Sequence, residues 1–354
     1  MVSAEEDILT NFPQDLINPI LERLPVKEAV RTSVLSKKWR YRWTTMKTLD
    51  LYNQFSQQFL EIGGYQHNGF IRVISQIMTY HHGPILKFHL HIPKEINLDS
   101  FQEVDQWIFI LRILVSRVES VDPPFEFQGF PNLQHINLLY VNFGGGTVIN
   151  LPQLKILSLV SCRSVNKFNI KAEKLQALWV TGCPDANAMV LQLLHSEHLN
   201  VILAAEKFPK WLPHAVNCLE KLKFISFSFG DLNQLQGALC MLRNSPNLEV
   251  LRVTPTQMGP EADLGLTSTF LESPDCLDQT SLMLNYVEMT SLEGSRPELL
   301  FVKLLLHCSP HLEKMIIRPA ATLDAEKRLN ITKDVLMFSR ASTKAKVAFL
   351  DPQP

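Results

Sequence analysis

Eleven histidines and six cysteines are the side chains of this 354-residue sequence best able to hold a metal or attack a substrate. His89 and His91 stand two apart in the strand-like run Lys87-Phe88-His89-Leu90-His91. That spacing puts both imidazoles on one face and makes them a candidate ligand pair. A closed site needs further donors, and none follows at ligand spacing; the neighbouring pair His81-His82 lacks them as well. The cysteines, Cys162, Cys183, Cys218, Cys240, Cys276 and Cys308, are separated by 21, 35, 22, 36 and 32 residues. No two form CxxC, so neither a zinc ribbon nor a small disulfide scaffold is indicated. Gly144-Gly145-Gly146-Thr147 has the glycines of a phosphate loop without its lysine or its following helix, and reads as a turn. GxSxG, HExxH, GxxxxGK[ST] and GxGxxG do not occur. The expectation is a chain with no catalytic residues, no cofactor and no metal.

Composition narrows the alternatives. Hydrophobic residues make up 46% and charged residues 19%, ordinary values for a folded chain. Lys+Arg 34 against Asp+Glu 35 opposes a globally basic nucleic-acid binder. Charge is nevertheless segregated. Residues 31–47 hold Arg31, Lys37, Lys38, Arg40, Arg42 and Lys47 with no acid, which suits an acidic partner surface or nucleic acid. No apolar run is long enough for a membrane-spanning helix. The start, Met1-Val2-Ser3-Ala4-Glu5-Glu6-Asp7, lacks the basic and apolar regions of a signal peptide. With dispersed cysteines this points to the cytoplasm and/or nucleus, where the sequon Asn330-Ile331-Thr332 is a chance match.

The first fifty residues read as three short helices. Phe12-Pro13-Gln14-Asp15 opens the first, with Asp15 as its cap or as an acid in its first turn. Leu16, Ile17, Ile20, Leu21 and Leu24 follow at helical spacing. Pro19 lies within this pattern, and Pro25 ends it. The second helix runs through Val26, Ala29, Val30 and Val34. Ser36 is placed to cap a third, Lys37-Lys38-Trp39-Arg40-Tyr41-Arg42-Trp43. So small a unit cannot bury three apolar faces by itself, and some of that surface is expected to meet a partner.

The sequence then repeats. The pattern apolar-x-x-apolar-x-apolar begins at Leu133, Leu154, Leu175, Leu199, Leu222 and Leu248, at intervals of 21, 21, 24, 23 and 26 residues. Further copies begin at Ile85, Leu284 and Leu312. The 48 residues from 85 to 133 leave room for a degenerate unit, and the 36 from 248 to 284 for an insertion around Pro255–Pro274. Pro131, Pro152 and Pro246 each stand two residues ahead of a start, where they do not disturb a strand ladder. Cys162 and Cys183 recur at one template position, where a small apolar side chain fits the inner turn. The intervals match a leucine-rich repeat, whose strands bury their inner faces only by stacking. Asp105–Arg112 and Val190–Leu194 read as outer helices. Leu284–Arg296 reads as strand then turn, Pro297 as a first helical position and Glu298–Leu306 as a helix. Cys308–Ile317 returns as a strand, and Lys327–Leu350 adds a helix and a tail strand.

The segment Phe12-Pro13-Gln14-Asp15-Leu16-Ile17, followed by Ile20-Leu21-Glu22-Arg23-Leu24-Pro25-Val26-Lys27-Glu28-Ala29-Val30-Arg31-Thr32-Ser33-Val34-Leu35-Ser36-Lys37-Lys38-Trp39-Arg40, resembles a plant-type F-box. Phe12 stands where the family has leucine, and Gln14 where it has an acid. Val104–Val121 resembles the segment preceding the repeats in plant F-box proteins with leucine-rich repeats. The strand–GSR–helix–SPxLEKMxI order from Leu284 is similar to an FBD region. The resemblance implies an α/β chain: a three-helix F-box over 7–48, a leucine-rich-repeat solenoid with a curved parallel sheet and outer helices over 80–275, and an FBD-like cap over 280–350. It implies docking on a Skp-type adaptor, and through it a cullin, by Pro13, Ile17, Ile20, Leu21, Leu24, Pro25, Val34 and Trp39. The implied function is to hold an unknown target protein for ubiquitination, without catalysis, nucleic acid or membrane. A repeat scaffold outside any ligase is the competing expectation.

Overall fold

Parallel strands need a crossover of a dozen or more residues between them, and the spacing of these repeats supplies one each time. The computed structural model describes residues 13–51, 55, 67–92, 132–141, 147–163, 168–183, 190–192, 197–204, 215–256, 263–273 and 281–352. The chain divides into two units, Met1–Arg163 and Ser164–Pro354.

The first unit opens with helices α1 (Gln14–Leu21) and α2 (Val26–Arg31) and two 3-10 turns, Thr32–Val34 and Arg42–Thr45. Strand β1 (Thr48–Leu51), helix α3 (His67–Tyr80) and strands β2 (Lys87–His91), β3 (His135–Leu139), β4 (Thr147–Asn150) and β5 (Ile156–Val160) follow. β1, β2, β3 and β5 form parallel pairs in that order. The register aligns Leu49, Phe88, Ile136 and Leu157 across the strands, and Leu51, Leu90, Leu138 and Leu159 beside them. All eight are buried.

In the second unit, β6 (Phe168–Lys171) pairs with β8 (Val190–Gln192). The principal strands are β7 (Ala177–Thr181), β9 (His198–Ala204), β10 (Lys221–Phe227), β11 (Val250–Pro255), β12 (Tyr286–Leu292), β13 (Lys314–Pro319) and β14 (Lys346–Phe349), all parallel neighbours in that order. Helices α4 (Leu232–Asn244), α5 (Leu264–Glu272), α6 (Arg296–Cys308) and α7 (Ala325–Met337) fill the crossovers from β10 onward. Phe227 and Phe229 from the sheet side meet Phe301 of α6, and Phe224 packs against Phe227, with ring centroids 4.9 to 6.3 Å apart. Such tilted and edge-on rings add to simple area burial. The strands of 280–350 thus share one register with β10 and β11.

One backbone device recurs. Tyr140, Ser161, Gly182, Ser226 and Ser291 have φ of 58°, 51°, 62°, 52° and 53°. Each is the eighth residue of its repeat. Strict alternation would turn the ninth residue outward. The left-handed residue resets the pleat, so Val141, Cys162, Cys183, Phe227 and Leu292 turn inward and are buried. The Cys162 thiol donates toward the Leu138 carbonyl at 3.5 Å.

Several expectations need correction. Leu222 pairs with Leu251, the fourth residue of its repeat, so this unit begins at Leu219 and reads Leu219-x-x-Leu222-x-Phe224. Leu199 pairs with Leu222 and so is a fourth residue toward β10, whereas toward β7 it is Val201 that pairs with Leu178, so β9 carries a two-residue register shift between its neighbours. Leucines three apart satisfied both frames in the sequence; burial decides, since Leu219 is fully enclosed and Ile225 is only half-buried. β2 pairs directly with β3, so no repeat strand stands between 85 and 133 in that sheet. An unread repeat, Met46-x-x-Leu49-x-Leu51, supplies β1 instead. Val190–Gln192 is a strand, not a helix. The third N-terminal helix is replaced by turns ending in the 3-10 segment Arg42–Thr45, and the Ser36 hydroxyl is buried without a hydrogen-bond partner among the described residues. Phe12, residues 104–121, Gly144–Gly146 and Cys276 lie outside the described residues.

The N-terminus of α6 carries a buried acid. Glu298, only 1% exposed, accepts hydrogen bonds from the backbone N–H groups of Ser295 at 2.8 Å and Glu293 at 3.2 Å. Burial nevertheless raises its pKa above the usual carboxylate value, the bonds from Ser295 and Glu293 only partly offsetting it. A raised folded-state pKa means that charging Glu298 costs stability as pH rises through it. Glutamine keeps the acceptor without the charge. Glu298→Gln is therefore expected to melt at or above the wild-type temperature at pH 7, with the difference shrinking as pH falls toward the carboxyl range. Glu298→Ala should lose about 1 kcal/mol or more. Calorimetric melts of the three chains check this.

Candidate protein-docking surface

Helix α1 is apolar on two sides. Ile17 and Leu21, four apart, face inward and are fully buried. Leu16 and Ile20, also four apart but displaced by one residue, face outward at 56% and 46% exposure. A helix apolar on both sides requires a second apolar neighbour. Leu24 extends the outward set, and Pro13 and Pro25 are exposed at the positions preceding α1 and α2. Pro19 sits inside α1. Asp15 lies in its first turn, while the N-cap position is held by Pro13.

The turns after α2 add to this surface. Val34 is 86% exposed, and Leu35 and Tyr41 are largely exposed. Val26 and Ala29 of α2 point the other way into the core. Trp39 and Trp43 are also buried, so the two tryptophans support the turns from within. Around them Arg31, Lys37, Lys38, Arg40 and Lys47 reach solvent. The Arg31 guanidinium pairs with Glu28 at 3.1 Å. The result is an uncovered aliphatic set with a basic surround.

Of the eight residues that the F-box resemblance implies, the structure exposes Pro13, Ile20, Leu24, Pro25 and Val34. Ile17, Leu21 and Trp39 are enclosed in the unit's own core, and so support the surface rather than form it. Sequence reading merged Leu16 with Ile17 in one stripe and passed over Leu35 and Tyr41. Two apolar i, i+4 pairs offset by a single residue were the available signal.

This helical head is bonded to the first repeat strands. The buried His81 ring donates from Nε2 to the Met46 carbonyl at 2.8 Å. The N–H groups of His82 and Gly83 donate to the Thr44 carbonyl at 2.9 and 3.1 Å. A Cβ on Gly83 would stand 2.7 Å from the Thr45 Cα, so only glycine lets these backbones approach. Glu22 of the head accepts from the Lys47 N–H at 3.3 Å.

The other candidate chemistry disperses. His89 Nδ1 lies 3.9 Å from Asp50 Oδ1, and the His91 ring stacks against Tyr140 at 5.7 Å. Among the described residues no group of three metal-binding side chains comes together, and no helix is long and apolar enough to cross a membrane. Burial pushes the Cys308 thiol above its ordinary pKa, away from the thiolate a nucleophile needs.

Residues 9–50 match the F-box domain. The chain is 26% identical to an F-box/FBD/LRR-repeat protein of Arabidopsis thaliana, over 97% of this chain and 98% of that one. It is 22% identical to a probable FBD-associated F-box protein of the same plant, over 97% of both chains. Arabidopsis F-box/LRR-repeat protein 13 is 20% identical over 80% of this chain and 63% of its own length. The match to an F-box domain thus covers residues 9–50, and the similarity to F-box/FBD/LRR-repeat proteins runs along nearly the full length of the chain.

Burial holds the His81 pKa below its ordinary 6.5, the Met46 hydrogen bond opposing and His82 reinforcing that shift. A base with a depressed folded-state pKa stabilises the fold above its unfolded pKa and loses that contribution as pH falls through the folded one. Acidifying from pH 7.5 toward 5 is therefore expected to loosen the joint between the head and β1. Hydrogen exchange at the His82 and Gly83 amides measures it. Corrected for the intrinsic rate, which itself falls with acid, protection of these amides should decrease with acid in wild type, and much less so in His81→Gln.

Proposed function

We propose that this chain is the substrate-recognition subunit of a Skp-cullin-F-box ubiquitin ligase. Its head docks on a Skp-type adaptor, and through it on a cullin. Its repeats hold a target protein, which the ligase's conjugating enzyme modifies. The chain itself makes and breaks no bonds; it raises the effective concentration of the target and fixes its orientation. This reading places it in the cytoplasm and/or nucleus.

The observation that carries the reading is the two-sided α1 helix within the segment matching an F-box. Its inner face is already satisfied by Ile17 and Leu21, while Leu16, Ile20, Leu24 and Val34 remain uncovered. Burying each of these side chains is worth roughly 1 to 3 kcal/mol, enough in sum to leave an affinity after association costs. The basic surround favours an acidic adaptor face and would speed encounter.

The bonds from His81, Gly83 and Glu22 supply the one observation for a second reading, in which the head serves only as a folding cap on the repeats of a scaffold outside any ligase. A cap, however, has no use for four aliphatic side chains turned to solvent.

The test is capture of a recombinant Skp-type adaptor by the full-length chain. Ile20→Asp with Val34→Asp should weaken capture by at least a hundredfold without lowering the melting temperature. Leu21→Asp, which puts a charge into the core, should unfold the first unit as well. Undiminished capture by the double variant refutes the docking surface, and no capture by the wild-type chain favours the cap.

A further inference from the structure

The charged outward side chains of β10 to β14, all in the second unit, are basic at every position but one. Positions three, five and seven of these repeats place Lys221 and Lys223 on β10, Arg252 on β11, Lys314 and Arg318 on β13, and Lys346 on β14. The acid among these positions is Glu288 of β12, and it is occupied. Arg252 Nε donates to it at 3.2 Å, Arg318 Nε at 3.4 Å and the Tyr286 hydroxyl at 3.2 Å. The Arg252 guanidinium also lies 5.7 Å above the Tyr286 ring. Lys221, Lys223, Lys314 and Lys346 have no ion-pair partner among the described residues. Six basic groups thus face one side of the sheet around a pinned acid, although the whole chain has a net charge of -1.

The acids that balance them stand in a separate row. Glu197, Glu220, Glu249 and Glu313 each occupy the second repeat position, at the entry to their strands, where their carbonyls accept the bonds that align the next strand. A groove of about 580 Å³ lined by Glu220, Glu249, Glu313, Asn247, Asn285 and His311 runs along this rim. The basic surface is therefore bounded on one side by an acidic border. Five strands about 4.8 Å apart make it roughly 19 Å across, and positions three to seven make it roughly 13 Å deep.

We propose that the outward face of β10–β14 is a docking site for an extended Asp/Glu-rich segment of a partner protein. An extended chain of about six residues spans five strands, and its acidic side chains meet Lys221, Lys223, Lys314 and Lys346, whose charges no ion pair among the described residues neutralises. Tyr286, anchored through Glu288, gives it an aromatic floor. A nucleic acid fits less well: its breadth of phosphates would overlie the glutamate row. The proposal rests on the reading that the repeats hold a target, and it identifies the chemistry of what they hold.

The experiment uses the full chain and three fluorescent probes: an acidic decapeptide alternating Asp and Glu with Gly and Ser, its amide counterpart with Asn and Gln, and a single-stranded oligonucleotide of equal charge. Anisotropy titrations at low and physiological salt should show binding of the acidic peptide alone, weakening as salt screens it. Lys221→Glu with Lys223→Glu and Lys314→Glu should weaken binding at least tenfold, and the Gln versions of the same positions several-fold. Lys303→Glu and Lys333→Glu, on α6 and α7, should bind as wild type. Adaptor capture by every variant is measured in parallel: retained capture with lost peptide binding separates this site from the head. Equal binding by wild type and the triple variants, or tighter binding of the oligonucleotide, overturns the proposal.

Discussion

A parallel strand with one apolar face is incomplete by itself. Its backbone donors and acceptors need a neighbour on either side, and its leucines need a second layer. Within the first unit, and from β10 to β13 in the second, residues four and six of successive repeats align across the ladder. In five repeats a left-handed eighth residue then turns the ninth inward, so a three-position pattern buries a fourth side chain. Because inner faces are consumed by stacking, outer faces are left to vary, and whatever the chain recognises has to be written there.

The same constraint explains the head. Met46, Leu49 and Leu51 already follow the repeat pattern, so the first strand begins where the helices end. The head is therefore bonded into the array through His81, Gly83 and Glu22 rather than tethered to it. Ile17, Leu21, Trp39 and Trp43 are buried within the unit. What remains exposed is a second aliphatic face with a basic surround, separated in sequence and chemistry from the basic strand face of β10–β14.

Periodicity made most of this legible before any coordinates. Starts at 133, 154, 175, 248, 284 and 312 were readable because leucine, valine, isoleucine or methionine held all three inner positions. The frames at 199 and 222 were misread because leucine also falls at the fourth position, and only pairing with Leu251 separates the choices. Val190–Gln192 reads as a helix because three apolar-rich residues carry no period of their own. The docking face was half legible. Composition marks Leu16 through Leu24 as apolar, but which of them point outward depends on a one-residue offset that a single stripe conceals. The basic strand face was invisible, since its lysines and arginines are scattered over 126 residues of sequence from Lys221 to Lys346 and converge only through the register.

Backbone hydrogen exchange on the full chain, with and without a recombinant Skp-type adaptor, addresses the central claim most directly. The account expects a one-to-one complex in which protection rises within residues 13–41 and stays unchanged along β10–β14. Absence of a complex, or protection confined to the repeats, would contradict it.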